Sequence, residues 1–335
     1  DALQVPERRA RASGVPAVST SILGRDVEIG EVKQLLRDGR LVTLTGPGGI
    51  GKTRLAIQVA AELAESAPGA VYFVELAPLG SPEFLVPAIA EAAGLQFHGG
   101  SPPREQLLDF LRDRQLLLVL DNFEHLVAGE GLVGDLLRAA PRVRVLATSR
   151  ERLNLREEAV YPLRGMPLPG EGAGASAADS VALRLFAGRA RRHHAGFVLE
   201  PEDVEHVVAV CRMLGGLPLG IELAASLVRV LSCREIAEEV ARSFDALSTP
   251  LRDSPSQHRS LRAVFDSSWS LLDDRERDAL MRLSVFRGGF RKEAAQRVAG
   301  ARVGLLAALV DKSLLGRTPA GRYQLHEELG SGGMG

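Results

Sequence analysis

The sequence predicts an α/β domain built on a parallel sheet, then an all-α helical domain, then a helical segment closed by a small hairpin. Three observations predict this. From Ile22 to about residue 168, short apolar runs rich in β-branched residues alternate with stretches of good helix formers. Past that point the strand signals stop and amphipathic helical periods take over. Near the end, Leu314 to Leu325 holds two short apolar segments around the turn Thr318-Pro319-Ala320-Gly321, and helices ending in a hairpin are the layout of a winged helix.

Taken in order, residues 1–20 are rich in Arg, Pro, Ser and Ala without apolar periodicity and read as a linker. Residues 21–168 read as the α/β domain. Arg40 to Thr45 is its first strand. Gly46-Pro47-Gly48-Gly49-Ile50-Gly51-Lys52-Thr53 follows and fits G-x-x-x-x-G-K-[ST], the phosphate-binding loop of P-loop NTPases. Its glycines let backbone N–H groups turn toward phosphate oxygens, Lys52 supplies a point charge, and Thr53 offers a hydroxyl to Mg²⁺. A helix over Arg54 to Glu65 would set those phosphates at a helix N-terminus, where Arg54 is the first residue past the motif.

Ala70 to Glu75 reads as a strand, and Pro82 to Ala93 and Arg104 to Arg112 as helices. Gln115 to Leu120 is a strand delivering Asp121, a Walker B pattern in which a buried strand brings a carboxylate to the Mg²⁺. Asn122 follows where a second acid would polarise water, which leaves Glu124 as the nearest candidate base, with His125 a weaker one, and predicts slow hydrolysis. After a helix over Leu132 to Ala139, the strand Arg142 to Ala147 leads to Thr148-Ser149-Arg150. Next to the Walker B strand, Arg150 would lie near a γ-phosphate and distinguish triphosphate from diphosphate. Val160 to Leu163 is expected at a sheet edge, where Pro162 is tolerated.

A Pro/Gly-rich break from Pro169 to Ser176 separates the helical domain, residues 177–248. A polar break at Thr249 to Ser256 precedes the winged-helix segment, residues 257–328, and residues 329–335 are a glycine-rich end. Net charge is −1, so no global basic field argues for nucleic acid or an anionic membrane. Arg275, Arg277 and Arg282 alternate with Asp273, Asp274, Glu276 and Asp278, a mixed solvated face on which direct DNA binding is not expected. The two cysteines form no metal or disulfide pattern, which suits a reducing cytoplasm. No apolar run reaches membrane-spanning length. His193 and His194 are adjacent on a helix and make a poor chelate. Both ends read as cut from something longer, so effector and sensor domains are expected outside this segment.

Leu23-Gly24-Arg25-Asp26-Val27-Glu28, the phosphate loop, Leu120-Asp121-Asn122-Phe123-Glu124-His125-Leu126, Ala147-Thr148-Ser149-Arg150 and Gly216-Leu217-Pro218-Leu219 together resemble the STAND class of signal-transducing ATPases (NB-ARC-like). The likeness is greatest to the ATPase module of bacterial LuxR-type and antibiotic-regulator transcription factors, and it spans Ile22 to Glu327. It implies adenine as the base and ATP/ADP with Mg²⁺ as the ligands. It also implies that Gly24 and Arg25 lie by the adenine and ribose, that Pro218 packs on the base, and that His326 of Tyr323-Gln324-Leu325-His326 reaches the β-phosphate of ADP. Glu327 stands where the family often has aspartate. The resemblance further implies a nucleotide-gated switch capable of self-association. The tail from Arg322 to Gly335 resembles a second family, bacterial Ser/Thr protein kinases, at their first strand and glycine-rich loop. The preferred reading of this tail is a flexible glycine-rich end. A kinase-linked regulator and a housekeeping ATPase are the alternative functions.

Overall fold

The computed structural model describes residues 14–17, 22–66, 70–169, 179–248, 260–286, 289–318 and 321–325. These form two compact units. The first takes in the described residues up to Thr45 together with Lys52–Pro162; the second takes in Gly46–Gly51 and the described residues from Leu163 onward. The breaks at 170–178 and 249–259, most of the N-terminal linker and the glycine-rich end lie outside the described residues.

In the first unit the order is α1 (Asp26–Asp38), β1 (Leu41–Thr45), α2 (Lys52–Ser66), β2 (Val71–Glu75), α3 (Leu85–Ala93), α4 (Pro103–Leu111), β3 (Leu116–Asp121), α5 (Glu130–Ala139), β4 (Val143–Ser149) and β5 (Glu158–Pro162). The strands form one sheet in the order β2-β3-β4-β1-β5, and every pairing is parallel. Side chains alternate across a sheet, so Leu116, Leu118, Leu120, Val143, Val145 and Ala147 share a face. They join one core with Leu85 and Ile89 of α3, Leu107 and Leu111 of α4, and Leu136 of α5. The opposite face is met by α2, which packs on β1, β3 and β4 and buries Leu55, Ala56, Val59 and Ala60. A sheet covered on both faces explains strands that read as unbroken apolar runs. Edge position suits β5, because Pro162 has no N–H to give a further neighbour.

β4 runs two residues beyond its predicted end, through Thr148 and Ser149. The register explains it: Leu44 and Thr45 of β1 pair with Thr148 and Ser149. The helix α1 starts directly after Gly24 and Arg25 and buries Ile29, Val32 and Leu36 along one of its faces.

In the second unit α6 (Val181–His193) packs on α8 (Pro218–Ser226), and α7 (Pro201–Met213) packs on α9 (Cys233–Arg242). Ser232 and Glu235 form a capping box at the start of α9. Four further helices, α10 (Leu261–Trp269), α11 (Asp274–Leu283), α12 (Lys292–Ala299) and α13 (Val303–Asp311), precede the antiparallel hairpin of β6 (Leu315–Arg317) and β7 (Tyr323–Leu325). Leu280, Leu283, Phe290, Leu306, Leu309, Leu315 and Leu325 form their common core. On α11, Arg277 pairs with Asp274 at 3.3 Å and Arg282 with Asp278 at 3.0 Å.

Candidate functional site: the phosphate loop and the end of the sheet

The loop Gly46–Gly51 joins β1 to α2, and Lys52 is the first residue of that helix. Two of its glycines are required by geometry. Gly51 has φ +98°, and a Cβ placed there would meet nothing within 4 Å, so the backbone faces open space in which a phosphate oxygen fits. Gly49 has φ +76°, and a Cβ there would come within 2.8 Å of Leu219 Cβ. The N–H of Leu219 also donates to the carbonyl of Gly49 at 3.3 Å. Leu219 follows Pro218, which occupies the first turn of α8, so the Gly-Leu-Pro-Leu segment and the loop pack together within the second unit.

In the first unit, Asp121 ends β3 and is 6% exposed. Its Oδ1 accepts two hydrogen bonds, from Thr53 Oγ1 at 2.8 Å and Thr148 Oγ1 at 2.6 Å. Thr148 in turn accepts from the backbone N–H of Asn122 at 2.8 Å, which holds the turn after β3 where Asn122 takes φ 68°. Burial pushes the Asp121 carboxyl above its usual range; the two threonine bonds pull it down, the Glu124 charge adds to the rise, and Lys52 opposes it. A buried carboxylate beside a threonine hydroxyl is a donor set that a hard divalent cation satisfies. The residues therefore fit Mg²⁺, with Thr53 and Asp121 as the groups that would hold it. Thr148 is the site residue that the sequence reading missed; its signal was a hydroxyl side chain on the strand beside Walker B, two residues before Arg150.

β4 lies between β1 and β3, so Arg150 follows a strand flanked by both motif-bearing strands. Arg150 is buried, and its Nε donates to Glu124 Oε1 at 3.1 Å; the two side chains are 4% and 8% exposed. The other carboxylate oxygen, Glu124 Oε2, is buried without a hydrogen-bond partner among the described residues. The structure thus joins two residues predicted separately, a phosphate-sensing arginine and a candidate base. His125, the next residue, is exposed and its Nε2 lies 2.9 Å from the carbonyl of Leu79.

The remaining predicted residues fall as follows. Gly24 takes φ 62°, and Arg25 is the buried N-cap of α1, paired with Glu28 at 2.5 Å. Pro47 and Ile50 close a turn of the loop through the Ile50 N–H to Pro47 carbonyl bond at 3.4 Å, with Gly48 buried between them. Arg54 sits half-buried in the first turn of α2. His326 lies outside the described residues. No described helix is long and apolar enough to cross a membrane.

A family described as an AAA domain matches residues 36–158, which run from the end of α1 to the start of β5. The "Putative HTH-type transcriptional regulator Rv0890c" of Mycobacterium tuberculosis is 38% identical over 310 residues, 88% of this chain but 33% of that protein, so the chain spans about a third of that relative's length. The "Uncharacterized protein Rv0894" of the same organism is 35% identical over 306 residues, 88% of this chain and 75% of that protein. Among solved structures, the Walker-type ATPase PABY2304 of Pyrococcus abyssi superposes with a TM-score of 0.57 at 14% identity, covering 92% of this chain and 94% of the other, a likeness of fold. The chain carries a P-loop ATPase domain of the AAA type and belongs to the same family as the mycobacterial protein Rv0894.

Proposed function

We propose that this chain is an ATP/ADP-binding switch with slow Mg²⁺-dependent ATPase activity, of the STAND kind, and the regulatory module of a larger transcriptional regulator. The observation that carries the reading is the Thr53–Asp121–Thr148 cluster at the sheet end, reached directly from the phosphate loop through Lys52. Bound Mg²⁺ would neutralise charge on the phosphates. The chain's own residues divide the rest of the work. The loop's N–H groups and Lys52 bind phosphate oxygens. Thr53 and Asp121 hold the cation, and Thr148 fixes the Asp121 carboxylate so that it does not rotate away. Arg150 supplies the charge that separates a triphosphate from a diphosphate.

Slow turnover follows from two features. The residue after Asp121 is Asn122, whose N–H is taken up by Thr148, and the nearest acid, Glu124, is engaged by Arg150. A base so held must first be released by Arg150 before it can draw a proton from water. The relative named as a transcriptional regulator supports the regulatory role, as does the hairpin-closed helical segment from α10 to β7, which we read as a winged helix. ATP and ADP affinities, with and without Mg²⁺, test the reading. Lys52→Ala is expected to weaken both by about a hundredfold, the scale of removing a charge-assisted hydrogen bond to phosphate. Unchanged affinity would sink the assignment. Brisk steady-state turnover in the parent would instead favour a working ATPase over a switch.

A further inference from the structure

The Glu124–Arg150 pair has features that a merely structural ion pair does not need. It is buried on both sides, at 8% and 4% exposure, at the carboxyl end of a parallel sheet, where ligands of such sheets bind. Glu124 lies just beyond the Walker B carboxylate, on the short helical turn Phe123–Gly129. Arg150 lies one residue beyond Ser149, which pairs with Thr45, the residue from which the chain enters the phosphate loop. The pair is also incomplete, because Glu124 Oε2 is buried with no hydrogen-bond donor among the described residues. A buried carboxylate left half-satisfied is held at a cost unless another state of the site relieves it.

A carboxylate and a phosphate present the same kind of anionic oxygens to a guanidinium, and Arg binds both. We propose that Glu124 sets the preference of the site between nucleoside triphosphate and diphosphate, by competing with the terminal phosphate for Arg150. While Glu124 holds Arg150, the arginine is withheld and the triphosphate goes without its extra cation. When Arg150 turns to the terminal phosphate, Glu124 is released, and both its oxygens can accept from water. One pair then performs two tasks: it lowers affinity for triphosphate, and it keeps the candidate base out of use until a triphosphate is present. This inference rests on the nucleotide-binding reading above and adds to it a specificity-determining residue.

The test is equilibrium binding of ADP and of a non-hydrolysable ATP analogue, both with Mg²⁺, to the parent and to Glu124→Gln. The amide keeps the shape and removes the competing charge. The analogue is expected to tighten by about tenfold relative to ADP, as Arg150 becomes available to a desolvated phosphate. In an Arg150→Ala background the same substitution is expected to leave the ratio within about twofold, since nothing remains to compete for. Thermal melts establish that the variants fold. Should Glu124→Gln fail to fold, Glu124→Asp, which draws the carboxylate back by one methylene, is expected to shift the ratio the same way by about threefold. A ratio that stays put in the folded variant, or a shift that survives the loss of Arg150, overturns the inference alone. A parent that binds neither nucleotide overturns the underlying reading and this inference with it.

Discussion

Two carboxylate–cation pairs with a buried carboxylate, one in each unit, show how the same chemistry serves different ends. In the second unit Glu276 on α11 is 5% exposed and meets Lys312 at 2.7 Å. Its Oε2 also accepts the N–H of Asp273, completing a capping box, while Lys312 Nζ donates to the carbonyl of Leu271 at 2.9 Å. These bonds are local and mutually supporting, and together they tie the end of α13 to the start of α11. In the first unit Glu124 meets Arg150 at 3.1 Å with one oxygen and leaves the other without a donor among the described residues. A pair tied in by several local bonds has little to gain by opening. A pair left short gains, provided something better is offered. The difference separates a staple from a latch, although both carboxylates are buried; Lys312 is 19% exposed where Arg150 is 4% exposed.

The comparison can be broken by taking each pair apart. Glu276→Ala strips Lys312 of its partner and removes half of a capping box, so a loss of about 3–5 kcal/mol is expected from the denaturant midpoint. Nucleotide discrimination should stay unchanged in whatever fraction remains folded. A loss below about 1 kcal/mol would show that water satisfies Lys312 as well as Glu276 does, and the staple reading would fail.

A smaller effect is expected at the Thr53–Asp121–Thr148 cluster. Thr148→Val keeps the shape of the side chain but removes both a donor to Asp121 and an acceptor for the Asn122 N–H. The Asn122 N–H left without its acceptor, and Asp121 left with Thr53 alone, should together cost about 2 kcal/mol. In addition, the Mg²⁺ concentration giving half-maximal nucleotide binding should rise several-fold, because Asp121 loses its fixed orientation. If stability falls while the Mg²⁺ dependence holds, Thr148 supports the turn and does not position the metal ligand.

The mildest test uses the thiols. Cys211 and Cys233 are buried in α7 and α9, and burial pushes each thiol up to about 12; at Cys233, Asp203 adds to the rise. At pH 8 only about one thiol in ten thousand is then the reactive thiolate, against roughly a quarter for a free cysteine. Labelling in native buffer should therefore wait on opening of these helices. Glu124→Gln lies in the other unit and is expected to leave the labelling rate unchanged. A rate that rises with it would mean that the latch also holds the second unit closed to reagent.

Several elements could be read directly because local chemistry fixes them. The run Leu116 to Asp121 was recognisable as a strand ending in an acid, and Pro162 marked its strand as an edge before the order β2-β3-β4-β1-β5 placed it there. At α11, Asp273 and Glu276 stand three residues apart and form the capping box that fixes where the helix starts. The hairpin was visible from its turn residues. What escaped was set by register. Thr148 sits 27 residues from Asp121, and Glu124 sits 26 residues from Arg150, so neither pairing leaves a spacing that a periodicity could detect.

By itself, then, the sequence determined the strands and helices, the phosphate loop with Lys52 and Thr53, and the identity of the acid at the end of β3, because propensity, alternation and glycine conformation act within a few residues. Only the tertiary structure decided that β4 runs between β1 and β3, that Thr148 bonds to Asp121, and that Glu124 holds Arg150. Those depend on which strands lie side by side and in what register. Packing across the whole sheet settles that choice, and it turns separately recognisable residues into one electrostatic unit.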